Sequence, residues 1–362
     1  MEMTKTRATA PEAPPTTDDI NDDIPIELVG SEESDSAAEC TLRAWRFTKQ
    51  KMTEQPSESK AMRTLDASDG VLWVDLGQYG ETDLQELMDR FELDPAGIRA
   101  ALAPWQRPSV EAFANHALVN VTVLDIDLDR LAIVANEIDC FIGERFVLTA
   151  HPEELPFFDQ ILARAETNAE VISTDPAFLL YILLDELIDD FAGLADELDE
   201  LIEDLEVEAL AANDSAFVDR LVRHKRFVYT VSRLAGQHRF VFHGLLRPDF
   251  PFVSGGSVEG YFAELNDRFG TVAGLFDQAR QEMLSTFDIY MSSVAYRTNG
   301  IMKTLTMISI LVLPATAIFG FFGTNFAHMP IFGTVGFIAM FLLLLVLTTA
   351  QLLLFRARGW LS

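Results

Sequence analysis

The chain of 362 residues is long enough to bury a sizeable core, in one large domain or two modest ones. Its 27 Lys plus Arg stand against 56 Asp plus Glu, a net charge of −29. That balance excludes a duplex nucleic-acid binder, which needs basic residues to neutralise phosphates, and it attracts cations.

The two cysteines, Cys40 and Cys140, are too few for a disulfide scaffold or a four-thiolate metal site and suit a reducing compartment. Residues 1–40 hold 11 acids against Lys5 and Arg7, with Pro11, Pro14 and Pro15. Such a composition cannot bury enough surface to order itself and predicts a disordered acidic tail. Residues 41–152 alternate between strand and helix patterns. Val71–Leu76, Leu118–Ile126, Leu131–Ile142 and Phe146–Thr149 read as strands, with a turn at Asp127-Leu128-Asp129-Arg130 and helical spacing over Glu81–Phe91. They predict a cytosolic mixed α/β domain. It lacks a phosphate-cradling glycine loop, a paired-cysteine motif and a zincin histidine pair, so no enzyme is expected.

Residues 153–253 predict a helical hairpin region. Phe178–Leu210 carries twelve acids and no base, with an apolar face that includes Leu184, Leu187, Ile188 and Leu198. From Ala216 to about Leu246 a second helix inverts the sign, with seven Lys or Arg between Arg220 and Arg247. Two compatible readings follow: charges that attract across an antiparallel pair, and an acidic surface that gathers cations near a membrane. From residue 254 a stalk, assigned to 254–301, repeats apolar residues in steps of three and four from Phe262 through Phe269, Phe276 and Met283 to Val294. It runs without a proline into an apolar segment and predicts a helix of about 65 residues, roughly 100 Å long. A helix of that length packs on copies of itself or on the rest of the body, and the seam favours a symmetric oligomer.

Thr304–Phe355 contains no Asp, Glu, Lys or Arg across 52 residues. A bilayer span needs about 20 apolar residues, so two spans fit, at 302–323 and 333–355, with a short outer loop at 324–332 and a basic end at 356–362. A soluble core hairpin is the alternative, but core helices are shorter and keep a polar stripe. Arg297 and Lys303 before the first span, and Arg356 and Arg358 after the second, place both termini in the cytoplasm of an inner-membrane protein. No apolar core of a signal peptide occurs in residues 1–23. Through the first span runs a stripe of Asp288, Asn299, Met302, Leu305, Ser309, Leu313, Thr316 and Gly320. Such a stripe lines a water-filled path or lets helices pack closely, and the residues alone leave both open.

The junction Asp288-Ile-Tyr290-Met-Ser292…Thr298-Asn299…Met302-Lys303…Pro314…Thr316…Gly320…Gly323-Thr324-Asn325-Phe326…Met329-Pro330 resembles the CorA family of divalent-cation channels, with weaker echoes at Gln106-Arg107-Pro108 and Phe141-Ile-Gly143. The resemblance spans about residues 40–362. It implies an α+β membrane protein: an α/β cytosolic domain, a helical hairpin, and a very long helix running into the first of two C-terminal transmembrane helices, assembled as a funnel-shaped homopentamer. It further implies a selectivity ring at Gly323, Thr324 and Asn325, with Asn325 holding a hydrated cation. Asn299, Ser309, Thr316 and Gly320 line the pore, and Met302, Leu305 and Leu313 form a hydrophobic gate. Asp288 takes the place of a regulatory metal ligand. No permanent cofactor is implied; Mg²⁺, with Co²⁺ or Ni²⁺, is the transported ion, and the lipid bilayer is the other partner.

Three departures bear on the ion. The family's Gly-Met-Asn reads Gly-Thr-Asn here, the loop Ala327-His328-Met329-Pro330-Ile331 has no acid, and no acid occurs at Ile98-Arg99-Ala100-Ala101 to partner Asp288. The first two are similar to the ZntB branch, which moves zinc. Imidazole suits zinc, which makes His328 a candidate ligand against the simpler reading of a solvent-facing loop histidine. The alternatives are therefore a ZntB-like, proton-coupled Zn²⁺ transporter and, from another class, a non-conducting membrane-anchored sensor or scaffold.

Overall fold

A computed structural model describes residues 26–29, 41–55, 70–79, 81–102, 106–153, 157–212, 215–248, 250, 258–323 and 334–360. The chain divides into two compact units, residues 1–207 with 214–286, and residues 208–213 with 287–362.

The first unit is built on one mixed sheet. Its strands are β1 (Ile26–Val29), β2 (Thr41–Phe47), β3 (Met52–Glu54), β4 (Val71–Gly77), β5 (Ser109–Ala112), β6 (His116–Asp127), β7 (Ala132–Gly143) and β8 (Phe146–His151), in the order β3-β2-β4-β8-β7-β6-β5 with β1 beside β7. Pairing is antiparallel except for β4 with β8 and β1 with β7. The sequence pattern placed residues 26–29 in the solvated tail; instead Ile26-Glu27-Leu28-Val29 takes the free edge of β7 against Ile133–Asn136. Three apolar residues in a row of four suffice for a strand when a paired edge is on offer, whatever the composition around them.

β4 is buried at every position, which is why Val-Leu-Trp-Val-Asp-Leu reads as a continuous run and not as an alternation. One of its faces joins Leu72, Val74 and Leu76 to Leu84, Leu87 and Phe91 on and after α1 (Glu81–Arg90) and to Ile98 of α2 (Pro95–Ala101). On the other, Trp73 lies 4.6 Å from Trp45 and 5.6 Å from Phe158 of α3 (Phe158–Thr167), which is followed by α4 (Ala169–Thr174). Burying these rings contributes about 2 kcal/mol each.

The acidic helix is α5 (Ala177–Ala211). The basic stretch does not form one helix. It divides into α6 (Ser215–Gln237) and α7 (Arg239–Leu245) at His238. That histidine is buried, its Nε2 accepts the Thr122 backbone N–H of β6 at 2.9 Å, and Nδ1 lies 3.1 Å from the Ala235 carbonyl. The break lets one neutral imidazole, donating through Nδ1, fasten the helix to the sheet. Carboxylates of α5 pair with Arg164 of α3, through Asp185 at 2.7 Å and Glu186 at 2.5 Å, and with Arg268 through Asp185 and Asp189.

Arg268 belongs to α8 (Glu259–Gly323), 65 residues long, and α9 (Thr334–Ala357) follows. The three-four seam of α8 is used within the chain. Phe262, Leu265, Phe269, Phe276 and Met283 are buried, Phe269 stacks on Phe242 at 4.4 Å, and Phe276 meets Phe191 edge-on at 6.2 Å. A seam with heptad spacing needs an apolar partner, and α5 to α7 supply one without a second copy.

Candidate functional site

In the second unit α8 and α9 are both long and apolar enough to cross a membrane. Their contact face is set by sequence. On α9 the half-buried or buried positions Gly336, Met340, Leu344, Leu347, Gln351 and Phe355 recur in steps of four and three, and the other positions from Val335 to Ala357 are exposed. Over residues 301–321 of α8 the half-buried positions are Lys303, Met307, Leu311, Pro314, Ala315 and Ile318.

Pro314 explains the one amide on that seam. Proline has no N–H, so the carbonyl of residue 310 loses its intrahelical donor, and in hydrocarbon an unsatisfied carbonyl is costly. Gln351 Nε2 donates to the Ile310 carbonyl at 3.0 Å and fills the vacancy. Before the apolar stretch of α8, Arg297 donates to the Leu210 and Ala212 carbonyls and Ser293 to Leu210 at 3.3 Å, so a cation and a hydroxyl close the C-terminus of α5, where the helix dipole favours positive charge. Sequence reading found neither role: Arg297 entered only as a flanking charge, and an amide in an apolar helix does not by itself point to the proline of another helix.

The polar stripe occupies a different face of α8. Asn299, Met302, Leu305, Ser309, Leu313, Thr316 and Gly320 are all exposed, Leu313 by 73%, and none lies on the seam with α9. The hydroxyls on and beside this face are internally tied: Thr306 donates to Met302 at 2.7 Å, Ser309 to Leu305 at 2.9 Å and Thr316 to Val312 at 2.9 Å. A hydroxyl whose hydrogen is committed to the preceding turn turns its lone pairs outward. At Ser309 and Thr316 the stripe therefore presents acceptors, between the apolar side chains of Met302, Leu305 and Leu313. Ile308, Ser309, Val312, Leu313, Thr316 and Ala317 border a shallow groove along it.

Gly323 ends α8, whereas Thr324, Asn325 and His328 lie outside the described residues. Asp288 is exposed on α8, and no group of three or more His, Cys, Asp or Glu that could hold a metal forms among the described residues. α2 carries Arg99 and no acid.

The sequence pattern of the CorA-like Mg²⁺ transporter protein family matches residues 68–357. The chain belongs to that family. It is 28% identical over 260 residues to the cobalt/magnesium transport protein CorA of Thermotoga maritima, covering 71% of this chain and 74% of that one. The complete structure of the CorA magnesium transporter from Methanocaldococcus jannaschii superposes with a TM-score of 0.68 at 20% identity, covering 88% of this chain and 98% of that one. The ZntB cytoplasmic domain from Vibrio parahaemolyticus gives 0.51 at 12% identity, covering 70% and 98%. Both CorA and ZntB proteins thus share the fold, so the fold does not choose the ion. CorA-family membership makes this a membrane transporter of divalent metal whose two apolar C-terminal helices fit insertion in a bilayer.

Proposed function

We propose that the chain is a channel for hydrated divalent cations, Mg²⁺ foremost with Co²⁺ and Ni²⁺ accompanying it, working as a homopentamer in the inner membrane with both termini in the cytoplasm. The observation that carries this reading is the stripe of outward acceptors on the face of α8 that α9 leaves open. A hydrated cation presents water hydrogens to its surroundings, and acceptor oxygens are what receive them. Mg²⁺ gives up its waters reluctantly, so a path lined by hydroxyl and amide oxygens suits it better than a cage of carboxylates. Five copies would stack these oxygens as rings, with Asn299 on the cytosolic side and Asn325 at the outer mouth. Met302, Leu305 and Leu313 would form apolar rings that stop ions by dewetting when narrow. Asp288 serves a regulatory metal only if neighbouring subunits complete its ligand set.

The test is flux into liposomes holding purified protein, with Mg²⁺ and Zn²⁺ compared side by side, with and without a pH gradient. Mg²⁺ entry driven by voltage and indifferent to pH is expected, and Asn325→Ala should abolish it while leaving the oligomer intact. Zn²⁺ entry that requires the proton gradient would replace magnesium with a ZntB-like activity and direct attention to His328. No flux of either ion, or flux unchanged in Asn325→Ala, would remove the channel reading or its selectivity ring respectively.

A further inference from the structure

Between α6 and α8, inside the first unit, lies a cavity of about 460 Å³. Lys225, Arg226, Arg233, Arg239 and Arg280 line it, with Asp277 as the one carboxylate. A chain with 56 acids and 27 bases has here reversed its own balance. Asp277 is shared: Arg239 donates to it at 2.9 Å, and Arg280 lies 3.6 Å away. Arg280 and Lys225 also sit over the Tyr229 ring, at 4.6 and 5.8 Å, and Arg280 Nε is buried without a hydrogen-bond partner.

Cations gathered in an open recess repel one another, screened in part by solvent at the exposed Arg226, Arg233 and Arg239 and less so at the half-buried Lys225 and Arg280. Asp277, the one carboxylate in the lining, is already shared by Arg239 and Arg280, and Lys225 and Arg233 add two further positive charges to the recess. A transported divalent cation would be rejected here, so the cavity is no part of an ion path. What relieves the charge is an anion of several negative charges. Guanidinium forks match phosphate oxygens two by two, and Arg is the residue suited to them. The volume lies in the range of small-molecule sites, about 300–1,000 Å³, and exceeds what one inorganic phosphate fills. Ala273, Gly236 and Tyr229 add an uncharged wall for an organic portion.

We propose that this cavity binds a phosphate-rich small anion of nucleoside-polyphosphate size, clamping α6 to the helix that continues into the membrane. The proposal does not rest on the ion the protein carries.

Full-length protein in detergent would be titrated calorimetrically with ATP, tripolyphosphate and inorganic phosphate in the presence of EDTA, which removes metal as a bridge. One saturable site per chain is expected, with ATP and tripolyphosphate binding at least about tenfold more tightly than inorganic phosphate. Affinity should fall as salt rises. Arg233→Ala and Lys225→Ala, both outside the packed core, should each weaken ATP binding by about tenfold with melting temperature unchanged, whereas Arg145→Ala, a base elsewhere on the surface, should not. Absence of saturable binding at millimolar ligand, or equal affinity in both variants, would overturn the proposal. So would an Arg233→Glu variant that splits the assembly while the wild type takes up no polyphosphate, since the cavity would then belong to a neighbouring copy.

Discussion

Asp139 and Glu137 sit on β7 two residues apart and point into the same buried space, where Asn120 donates to Asp139 at 2.9 Å and the Gln106 N–H to Glu137 at 2.5 Å. Burial, which penalises the charged form, pushes each carboxyl up to about 7, and Asn120 and Gln106 only partly oppose it. The folded state therefore holds these protons more tightly than the unfolded chain does, and the stability linked to them is lost as pH rises through about 7. Asp139→Asn keeps the Asn120 contact without the charge, so it should raise the melting temperature at pH 8.5 and leave it nearly unchanged at pH 4.5. Equal shifts at both values would mean that the carboxyl does not titrate. His238 acts with the opposite sign: burial lowers it to about 4, so stability tied to its neutral form is present above its ordinary value near 6.5 and declines as pH falls toward 4. Neither group was legible in the sequence. Asp139 lies in a strand that reads as half-exposed alternation, and the burial that perturbs it comes from partners far along the chain.

At the level of elements, the apolar seam of α8 and α9 includes one exchange of hydrogen bonds. Gln351→Leu would leave the Ile310 carbonyl without a donor and should weaken the helix pair by about 1 kcal/mol, in line with hydrogen bonds measured between membrane helices. Pro314→Ala restores an N–H at the start of the problem, so in that background Gln351→Leu should cost nothing. Unfolding measured in bilayers for the four proteins of this cycle checks the coupling, and an equal cost with Pro or Ala at position 314 would refute it. The elements themselves were readable where periodicity is long and unbroken: the acidic helix and the β6–β7 hairpin lie within two residues of expectation, and the stalk, assigned from residue 254, is helical from Glu259 with the expected length of 65 residues. Short elements escaped, among them β2, β3, β5, α2 and α4, because three to seven residues carry too little period. The split of the basic helix at His238 was hidden for another reason: Gly236, two residues before it, is a weak local signal in a helical pattern, and the group that holds His238 is the distant Thr122 N–H.

For the whole molecule, the sequence left the α8 stripe divided between a water-filled path and close helix packing. The stalk seam, which suggested an oligomer, turned out to be covered by the chain's own helices, so any contact between copies falls to other faces. The stripe is one such face, and its two readings differ in whether water reaches it. In the channel reading Thr316→Cys faces an aqueous path and should react with a small charged thiol reagent that does not cross membranes, whereas Val346→Cys, exposed on α9 away from the seam, faces lipid and should stay inert. Cys140 is buried and contributes little background, and Cys40→Ser removes the other native thiol. Prior loading with Mg²⁺ should slow the reaction at Thr316→Cys, since an ion-filled path leaves less room for a charged reagent. If the cysteine at 316 is as unreactive as that at 346 in an oligomer that still assembles, Ser309, Thr316 and Gly320 serve close packing, and the path of the ion has to be sought elsewhere.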